Sequence, residues 1–230
     1  MKTNNYNIER IIDLLNNKGY TNFLNPKDLM LVKGKLHKSE YKIYELYEDS
    51  NKVILYKKEI PKIKLYKINS EIDLRHQEIL GTIFSLGINE DMFGDIVKYQ
   101  GDYYIFLEST LEKYIKYNLI EIKNSKVFLE EVDLDIKNNF KQEYNKKEYI
   151  VTSLRIDNIV STITNSSRNQ VLEKFKNNEI ILNYQEEIKP TRILKEGDIF
   201  SIRKYGKFKF SQILKETKKG SLIIEILEYK

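Results

Sequence analysis

The order of the predicted elements between residues 62 and 136 constrains the fold more than any other feature of this sequence. Apolar residues alternate where strands are expected and recur at helical spacing where helices are expected. The six elements are predicted at residues 63–68 (strand), 76–86 (helix), 95–99 (strand), 103–108 (strand), 111–119 (helix) and 126–132 (strand). The order β-α-β-β-α-β predicts a ferredoxin-like or RRM-like sandwich. We therefore expect an α+β protein with this sandwich as its central domain.

The flanking residues are predicted to form further α/β structure. Residues 6–17 carry apolar residues at helical spacing, and Asn25 before Pro26 indicates the start of a second helix. Two short strands are expected at residues 41–47 and 53–57. The expected division is 1–61 for an N-terminal α/β segment, 62–136 for the central domain, 137–149 for a polar linker and 150–230 for a C-terminal domain.

Positive charge is concentrated towards the C-terminal end of the chain. The 230 residues carry a net charge of +5, and residues 146–230 alone hold 17 Lys+Arg against 11 Asp+Glu. Because lysine and arginine contacts to phosphate release counterions, this excess favours a polyanionic partner. The chain is also rich in Lys, Asn, Ile and Tyr, as is typical of an AT-rich genome, which raises the lysine content everywhere. Charge alone leaves both explanations open.

The first helix of the C-terminal domain is predicted to begin at Ser153, a candidate N-cap. Its apolar side holds Leu154, Ile159, Val160 and Ile163. Arg155 and Asn158 fall away from that side. The prediction therefore places a guanidinium on the exposed face near the start of this helix.

The second helix has a clearer beginning. Ser167 is followed three residues later by Gln170, the spacing of a capping box, and Asn178 stands where a left-handed residue would end the helix. Arg168 in the first turn is an unfavourable neighbour for the positive end of the helix dipole. A phosphate bound there would resolve the conflict, because the helix start and the guanidinium would both hold it. The alternative is an Arg168 that is merely solvated or paired with a nearby acid.

The strands that follow add further cations. Phe208 and Phe210 alternate with Lys207 and Lys209, so one face of the strand is expected in the core and the other shows lysines. A solvated polar face is the usual meaning of such alternation, and only a position beside Arg155 and Arg168 would make it a binding edge. The predicted RNA-binding residues are Arg155, Ser167, Arg168, Asn169, Gln170, Lys174, Arg203, Lys204, Lys207 and Lys209.

This C-terminal pattern closely resembles the S-four-like RNA-binding domain, named after a small-subunit ribosomal protein. The resemblance is carried by Leu154-Arg155-Ile156-Asp157, Ser167-Arg168-Asn169-Gln170, Ile180-Ile181-Leu182-Asn183 and Glu196-Gly197-Asp198. It implies that the arginine of the first helix and the start of the second helix bind structured RNA. Two positions depart from the family pattern: Lys174 replaces an apolar residue and Asn178 replaces glycine.

Further segments resemble the YlmH family along nearly the whole chain. They are Phe23-Leu24-Asn25-Pro26, His76-Gln77-Glu78-Ile79-Leu80-Gly81, Leu86-Gly87-Ile88, Phe93-Gly94-Asp95-Ile96, Arg203-Lys204-Tyr205-Gly206-Lys207-Phe208-Lys209 and Thr217-Lys218-Lys219-Gly220. The resemblance implies a cytoplasmic factor of bacterial ribosome-associated quality control. Such a factor binds the large ribosomal subunit carrying peptidyl-tRNA and supports alanine tailing of the stalled chain. Structured rRNA and tRNA are the implied partners.

Two other classes of function were weighed against a non-catalytic RNA-binding protein, which we expect to be a monomer without cofactor or metal. The first is an RNA-modifying enzyme. A pseudouridine synthase would need a second Arg-Leu-Asp-like loop in a separate domain, and a methyltransferase would need a glycine-rich cofactor loop; the sequence has neither. His76 near Glu78 is the one acid–base candidate. The second is a protein-interaction or cell-division scaffold, which 17 tyrosines permit without specifying it.

Overall fold

The computed structural model describes residues 2–229, and of residues 2–6 only the backbone. The chain forms two compact units, Met1–Lys141 and Gln142–Lys230. Each unit has its own sheet and its own buried clusters. The protein is therefore a mixed α/β chain of two units.

The N-terminal unit begins with two helices and a two-stranded hairpin. Its elements in chain order are α1 (Lys2–Asn17), α2 (Pro26–Lys33), β1 (Lys42–Glu45), β2 (Val53–Tyr56), β3 (Ile63–Ser70), α3 (His76–Ser85), β4 (Phe93–Tyr99), β5 (Asp102–Glu108), α4 (Ser109–Asn118), β6 (Glu121–Ile122) and β7 (Ser125–Val132). The predicted start of α2 is confirmed, because the Asn25 side chain accepts a hydrogen bond from the backbone N–H of Asp28 and Pro26 takes the first helical position.

The central sheet runs in the order β4-β5-β3-β7-β6, and all its pairs are antiparallel. The six predicted elements are all present in the predicted order, and the two-residue strand β6 is an addition. Helices α3 and α4 cover one face, where Ile79 and Ile115 are completely buried against Tyr66 and Ile105 of the sheet. The alternation of side chains along each strand sends the neighbouring residues to the other face.

The second face of this sheet is covered by residues from both ends of the N-terminal unit. Phe23 and Leu46 share a buried cluster with Leu65 and Phe106 of the sheet. Phe140, which follows the last strand, closes the cluster, with its ring centroid 6.0 Å from that of Phe106. The predicted boundary at residue 61 therefore separates no independent core, because residues before and after it pack together.

A glycine makes this close packing possible. Gly94 lies in β4, where an added Cβ would stand 2.7 Å from Leu46 Cδ1, 2.7 Å from Phe106 Cβ and 3.1 Å from Phe23 Cε1. Carbon atoms in contact prefer about 3.5–4.0 Å, so no side chain fits there without displacing its neighbours.

The C-terminal unit places two helices on a six-stranded sheet. Its elements are β8 (Tyr144–Val151), α5 (Ile156–Thr164), α6 (Arg168–Lys176), β9 (Ile180–Leu182), β10 (Gln185–Glu186), β11 (Ile199–Ile202), β12 (Gly206–Glu216) and β13 (Leu222–Tyr229). The sheet order is β10-β9-β11-β12-β13-β8. One buried cluster joins Ile159 and Val171 of the helices to Phe208 and Ile226 of the sheet.

The predicted linker over residues 137–149 is wrong in its second half. Residues Tyr144–Val151 form the edge strand β8, which pairs with β13 along its whole length. Most of its side chains are exposed, so the segment has the polar composition of a linker although its backbone is hydrogen-bonded to the sheet. The unit boundary lies between Lys141 and Gln142.

Candidate nucleic-acid interface

The start of α6 has the geometry that its sequence predicts. The Ser167 Oγ accepts a hydrogen bond from the backbone N–H of Gln170 at 3.4 Å, and the Gln170 Oε1 accepts one from the backbone N–H of Ser167 at 2.8 Å. This reciprocal pair is a capping box, so Ser167 and Gln170 hold the helix start in place. Their side chains are committed to that role, and both residues remain exposed.

Arg168 and Asn169 are the exposed residues that this cap presents. Arg168 forms no hydrogen bond or ion pair within residues 2–229, the part of the chain that the structure describes. The first turn of α6 contains no acidic residue. The positive end of the helix dipole and the guanidinium thus lie together with no compensating carboxylate in that turn, which is an arrangement that favours an anion.

The opposite end of α6 packs against the turn between β11 and β12. The Lys174 Nζ lies 3.5 Å from the Glu179 carboxylate and 5.0 Å from the ring centroid of Tyr205. The backbone N–H of Arg203 donates to the Glu179 carbonyl at 3.0 Å. Lys174 therefore has partners in its own domain, and its role as an RNA contact stays a prediction.

Arg203 and Lys204 are exposed at this turn. Lys204 has a φ of 71°, a left-handed conformation that a tight turn imposes on one of its residues. Arg168 lies six residues before Lys174 on the same helix, roughly 9 Å along its axis. The structure therefore places Arg168, Asn169, Arg203 and Lys204 along one helix and the turn packed against it. We call these four residues the α6 surface.

Arg155 is held by an internal ion pair. It takes the N-cap position of α5, where Ser153 was predicted, because α5 begins only at Ile156. The Arg155 Nε donates to Asp157 Oδ1 at 3.0 Å and its Nη2 donates to Oδ2 at 2.6 Å. The nearly buried Asp157 carboxylate raises the pKa of Arg155 and offsets its charge.

The pair still leaves part of Arg155 available. Its side chain is 34% exposed, and a guanidinium has five N–H donors, of which Asp157 takes two. The nine residues of α5 span roughly 13 Å, so the helix separates Arg155 at its start from Arg168, which follows its end. Arg155 is therefore an oriented, largely neutralised donor.

Lys207 and Lys209 do not join the α6 surface. Phe208 and Phe210 point into the cluster beneath α5 and α6, so the alternation along β12 turns Lys207 and Lys209 to the other face of the sheet. The Lys207 Nζ lies 4.4 Å from the ring centroid of Tyr229 and 5.1 Å from that of Tyr184. The position beside Arg168 that would make this strand a binding edge is therefore not found, and the predicted RNA contacts of Lys207 and Lys209 stay predictions.

The acid–base candidate of the sequence lies inside the N-terminal unit. His76 begins α3 and its side chain remains exposed, with Asp95 and Lys52 nearby. Partial desolvation of its ring lowers its pKa below the ordinary value of 6.5. The Lys52 Nζ donates to the carbonyls of Glu90 and Phe93 at 2.6 and 2.8 Å. These contacts hold the loop before β4, so the groups around His76 have structural partners. Among residues 2–229 no group of three or more acidic or histidine side chains has the geometry of a metal site.

None of the helices in residues 2–229 is long and apolar enough to cross a membrane. The α6 surface is a cationic surface at a capped helix start. Sites of this type bind phosphate groups, including those of a nucleic-acid backbone.

Comparison with known proteins places an RNA-binding domain in this chain. Residues 58–136 match a family model described as "Putative RNA-binding domain in YlmH". The predicted resemblance to the YlmH family is thereby confirmed, and the match begins four residues before the predicted central domain and ends with it at residue 136.

The chain is also similar to a curated relative and to a solved structure. The chain is 26% identical over 148 residues to "Ribosome-associated protein quality control protein P2" of Bacillus subtilis (strain 168), an alignment that covers 64% of this chain and 58% of the relative. The chain thus spans less than two thirds of that relative's length. "Cell division protein ylmH from Streptococcus pneumoniae" is 23% identical with a TM-score of 0.47, covering 60% of this chain and 94% of the other, a likeness too low to establish a common fold.

Proposed function

We propose that this protein is a non-catalytic RNA-binding protein of ribosome-associated quality control. Its targets would be structured rRNA and tRNA on large ribosomal subunits that carry peptidyl-tRNA, and its role would be to support alanine tailing. On this proposal it acts in the cytoplasm, as a monomer, without a cofactor. The match of residues 58–136 and the name of the Bacillus relative support the RNA and ribosome partners.

The observation that carries the proposal is the capped start of α6. Ser167 and Gln170 fix the first turn, and Arg168 and Asn169 stand exposed on it. Phosphate oxygens would complete the arrangement by accepting from the guanidinium and from the free backbone N–H groups of the helix start. A small rigid surface of this kind recognises the backbone shape of folded RNA better than the edges of its bases.

We further propose that the C-terminal unit is an S-four-like domain and that the central sheet with α3 and α4 is RRM-like. Two helices on a sheet, with cations at the second helix, support the first assignment. The β-α-β-β-α-β order of the matched residues supports the second.

Arg168→Ala in the full chain tests the proposal. We expect it to weaken binding of a labelled stem–loop RNA by about 1–3 kcal/mol, the size of a single arginine contact. The slope of log affinity against log salt should also fall by roughly 0.7–0.9, because one phosphate contact is lost. Fluorescence anisotropy at several salt concentrations measures both quantities.

Lys218→Ala is the matched control. It removes one positive charge from the exposed turn between β12 and β13, outside the α6 surface. A loss shared equally by the two variants would show a general effect of net charge. Unchanged affinity in a correctly folded Arg168→Ala protein would remove the α6 surface from the site.

A further inference from the structure

Two aromatic side chains on one face of the sheet in the matched RNA-binding domain are not available to RNA. RRM-like domains bind single strands by stacking bases on aromatic residues of the open sheet face. Here the corresponding aromatic residues of β5, Tyr104 and Phe106, are 7% and 0% exposed. Residues of the N-terminal segment and Phe140 cover them. An RNA that this domain binds cannot stack on these two β5 residues.

Helix α4 offers a different aromatic surface on the opposite side of the sheet. Tyr117 is 84% exposed, the highest fraction among the large apolar and aromatic side chains that the structure describes, and Tyr114 is 48% exposed. Large aromatic side chains are seldom left in solvent, because burying them stabilises the fold. An aromatic ring exposed to this degree is available for stacking.

Positive charge accompanies these rings. Lys113 and Tyr117 are four residues apart and thus lie on the same side of α4. Lys113 is exposed and makes no ion pair with any residue from 2 to 229. Lys116, in contrast, is paired with Glu112 at 2.9 Å and lies over the Tyr66 ring. Of the two lysines of α4, Lys113 is therefore the one without an ion pair in the described part of the chain, and it lies beside Tyr117, the most exposed ring there.

We propose that the outer side of α4 is a second RNA contact, at which an unpaired base stacks on Tyr117 while Lys113 neutralises the adjacent phosphate. This inference rests on the proposed function, since it takes RNA as the ligand. A ring next to a lysine suits single-stranded RNA, because every base has a face that can stack and every nucleotide carries a phosphate. Tyr114 supports the helix, as its hydroxyl donates to the Leu86 carbonyl at 2.9 Å.

Tyr117→Ser and Lys113→Ala in the full chain test the contact, with a labelled oligouridine as the probe. We expect Tyr117→Ser to weaken binding by roughly 5-fold or more, the lower range for one stacked base. Tyr117→Phe keeps the ring and should retain the affinity. Lys113→Ala should reduce the salt slope by roughly 0.7, the value for one phosphate of a single strand.

The matched controls lie on the other face of the same domain. Val127 and Leu129 of β7 pack beneath the helices, so the alternation puts Lys126 and Phe128 on the opposite side, where Phe128 is 64% exposed. Phe128→Ser and Lys126→Ala should leave oligouridine binding unchanged. If these two variants weaken binding while the α4 variants do not, the contact lies on the sheet side and the inference fails.

Two probes separate this inference from the proposed function. Stem–loop binding that is lost in Arg168→Ala, together with oligouridine binding that is unaffected by Tyr117→Ser, overturns the α4 contact alone. Wild-type protein that binds neither RNA overturns both. A 5-iodouridine substituted into the probe should cross-link to the peptide containing Tyr117, and a cross-link confined to the C-terminal unit would contradict the α4 contact.

Discussion

Gly94→Ala should destabilise the N-terminal unit because the added methyl group has no space. Its carbon would stand 2.7 Å from Phe106 Cβ, an atom next to the backbone of a central strand that cannot rotate away. It would also stand 2.7 Å from Leu46 Cδ1, which can move only within a buried cluster. The overlap is about 1 Å relative to a normal carbon contact. Overpacking of this kind costs about 1–3 kcal/mol.

Gly81→Ala is the control, and it should change the free energy of unfolding in the opposite direction. Gly81 lies within α3, it is exposed, and an added Cβ would meet nothing within 4 Å. Alanine in a helix interior is favoured over glycine by about 1 kcal/mol, so this variant should be more stable than wild type. Urea unfolding followed by circular dichroism gives both free energies of unfolding.

The refuting result is a Gly94→Ala protein as stable as wild type. It would mean that Leu46 and Phe23 do not pack closely on the sheet, so that this part of the sheet face is not covered. A Gly81→Ala protein that is also destabilised would show instead that the assay responds to any substitution in this unit.

The remaining predictions concern a helix cap and the histidine at the start of α3. Ser167→Ala removes the acceptor of the capping box and should lower the free energy of unfolding of the C-terminal unit by about 0.5–2 kcal/mol; an equal stability in urea would contradict the capping role. Partial desolvation lowers the pKa of His76, so below about pH 6.5 the unfolded chain takes up a proton that the folded chain does not. Stability should therefore fall as the pH falls through this range, and it should fall less in His76→Gln, whose neighbours Asp95 and Lys52 are unchanged. Parallel pH profiles of the two proteins would refute the assignment.

Local patterns predicted the parts of the fold that depend on local contacts. The capping box of α6 and the left-handed Asn178 after that helix were correct, since each involves only residues a few positions apart. The six central elements were also found in order, because each carries a clear apolar period. The start of α5 was displaced, because its first backbone N–H groups donate to the carbonyls of Arg192 and Pro190 in a distant loop.

Long-range packing explains what the sequence could not predict. Strand alternation separates Lys207 and Lys209 from Phe208, but only the tertiary structure shows that the helices cover the phenylalanine side. The Arg155–Asp157 pair could have been suspected from its spacing of two residues, yet its strength depends on the burial of Asp157. Strand β8 was missed because an exposed edge strand has few buried positions to reveal it. One face of the central sheet is covered by residues that precede it and follow it in the sequence. This packing leaves no periodic pattern in the sequence.

The covering of this sheet face limits the order in which the chain can fold as it is synthesised. Phe23 and Leu46 leave the ribosome first, but the sheet surface that shelters them is complete only when β7 and Phe140 have followed. Until then the β1–β2 hairpin and the aromatic rings near it stay exposed, and exposed apolar surface favours aggregation. A fragment cut to the matched residues 58–136 would repeat this exposed state permanently, whereas one ending at Lys141 would retain the whole covering layer.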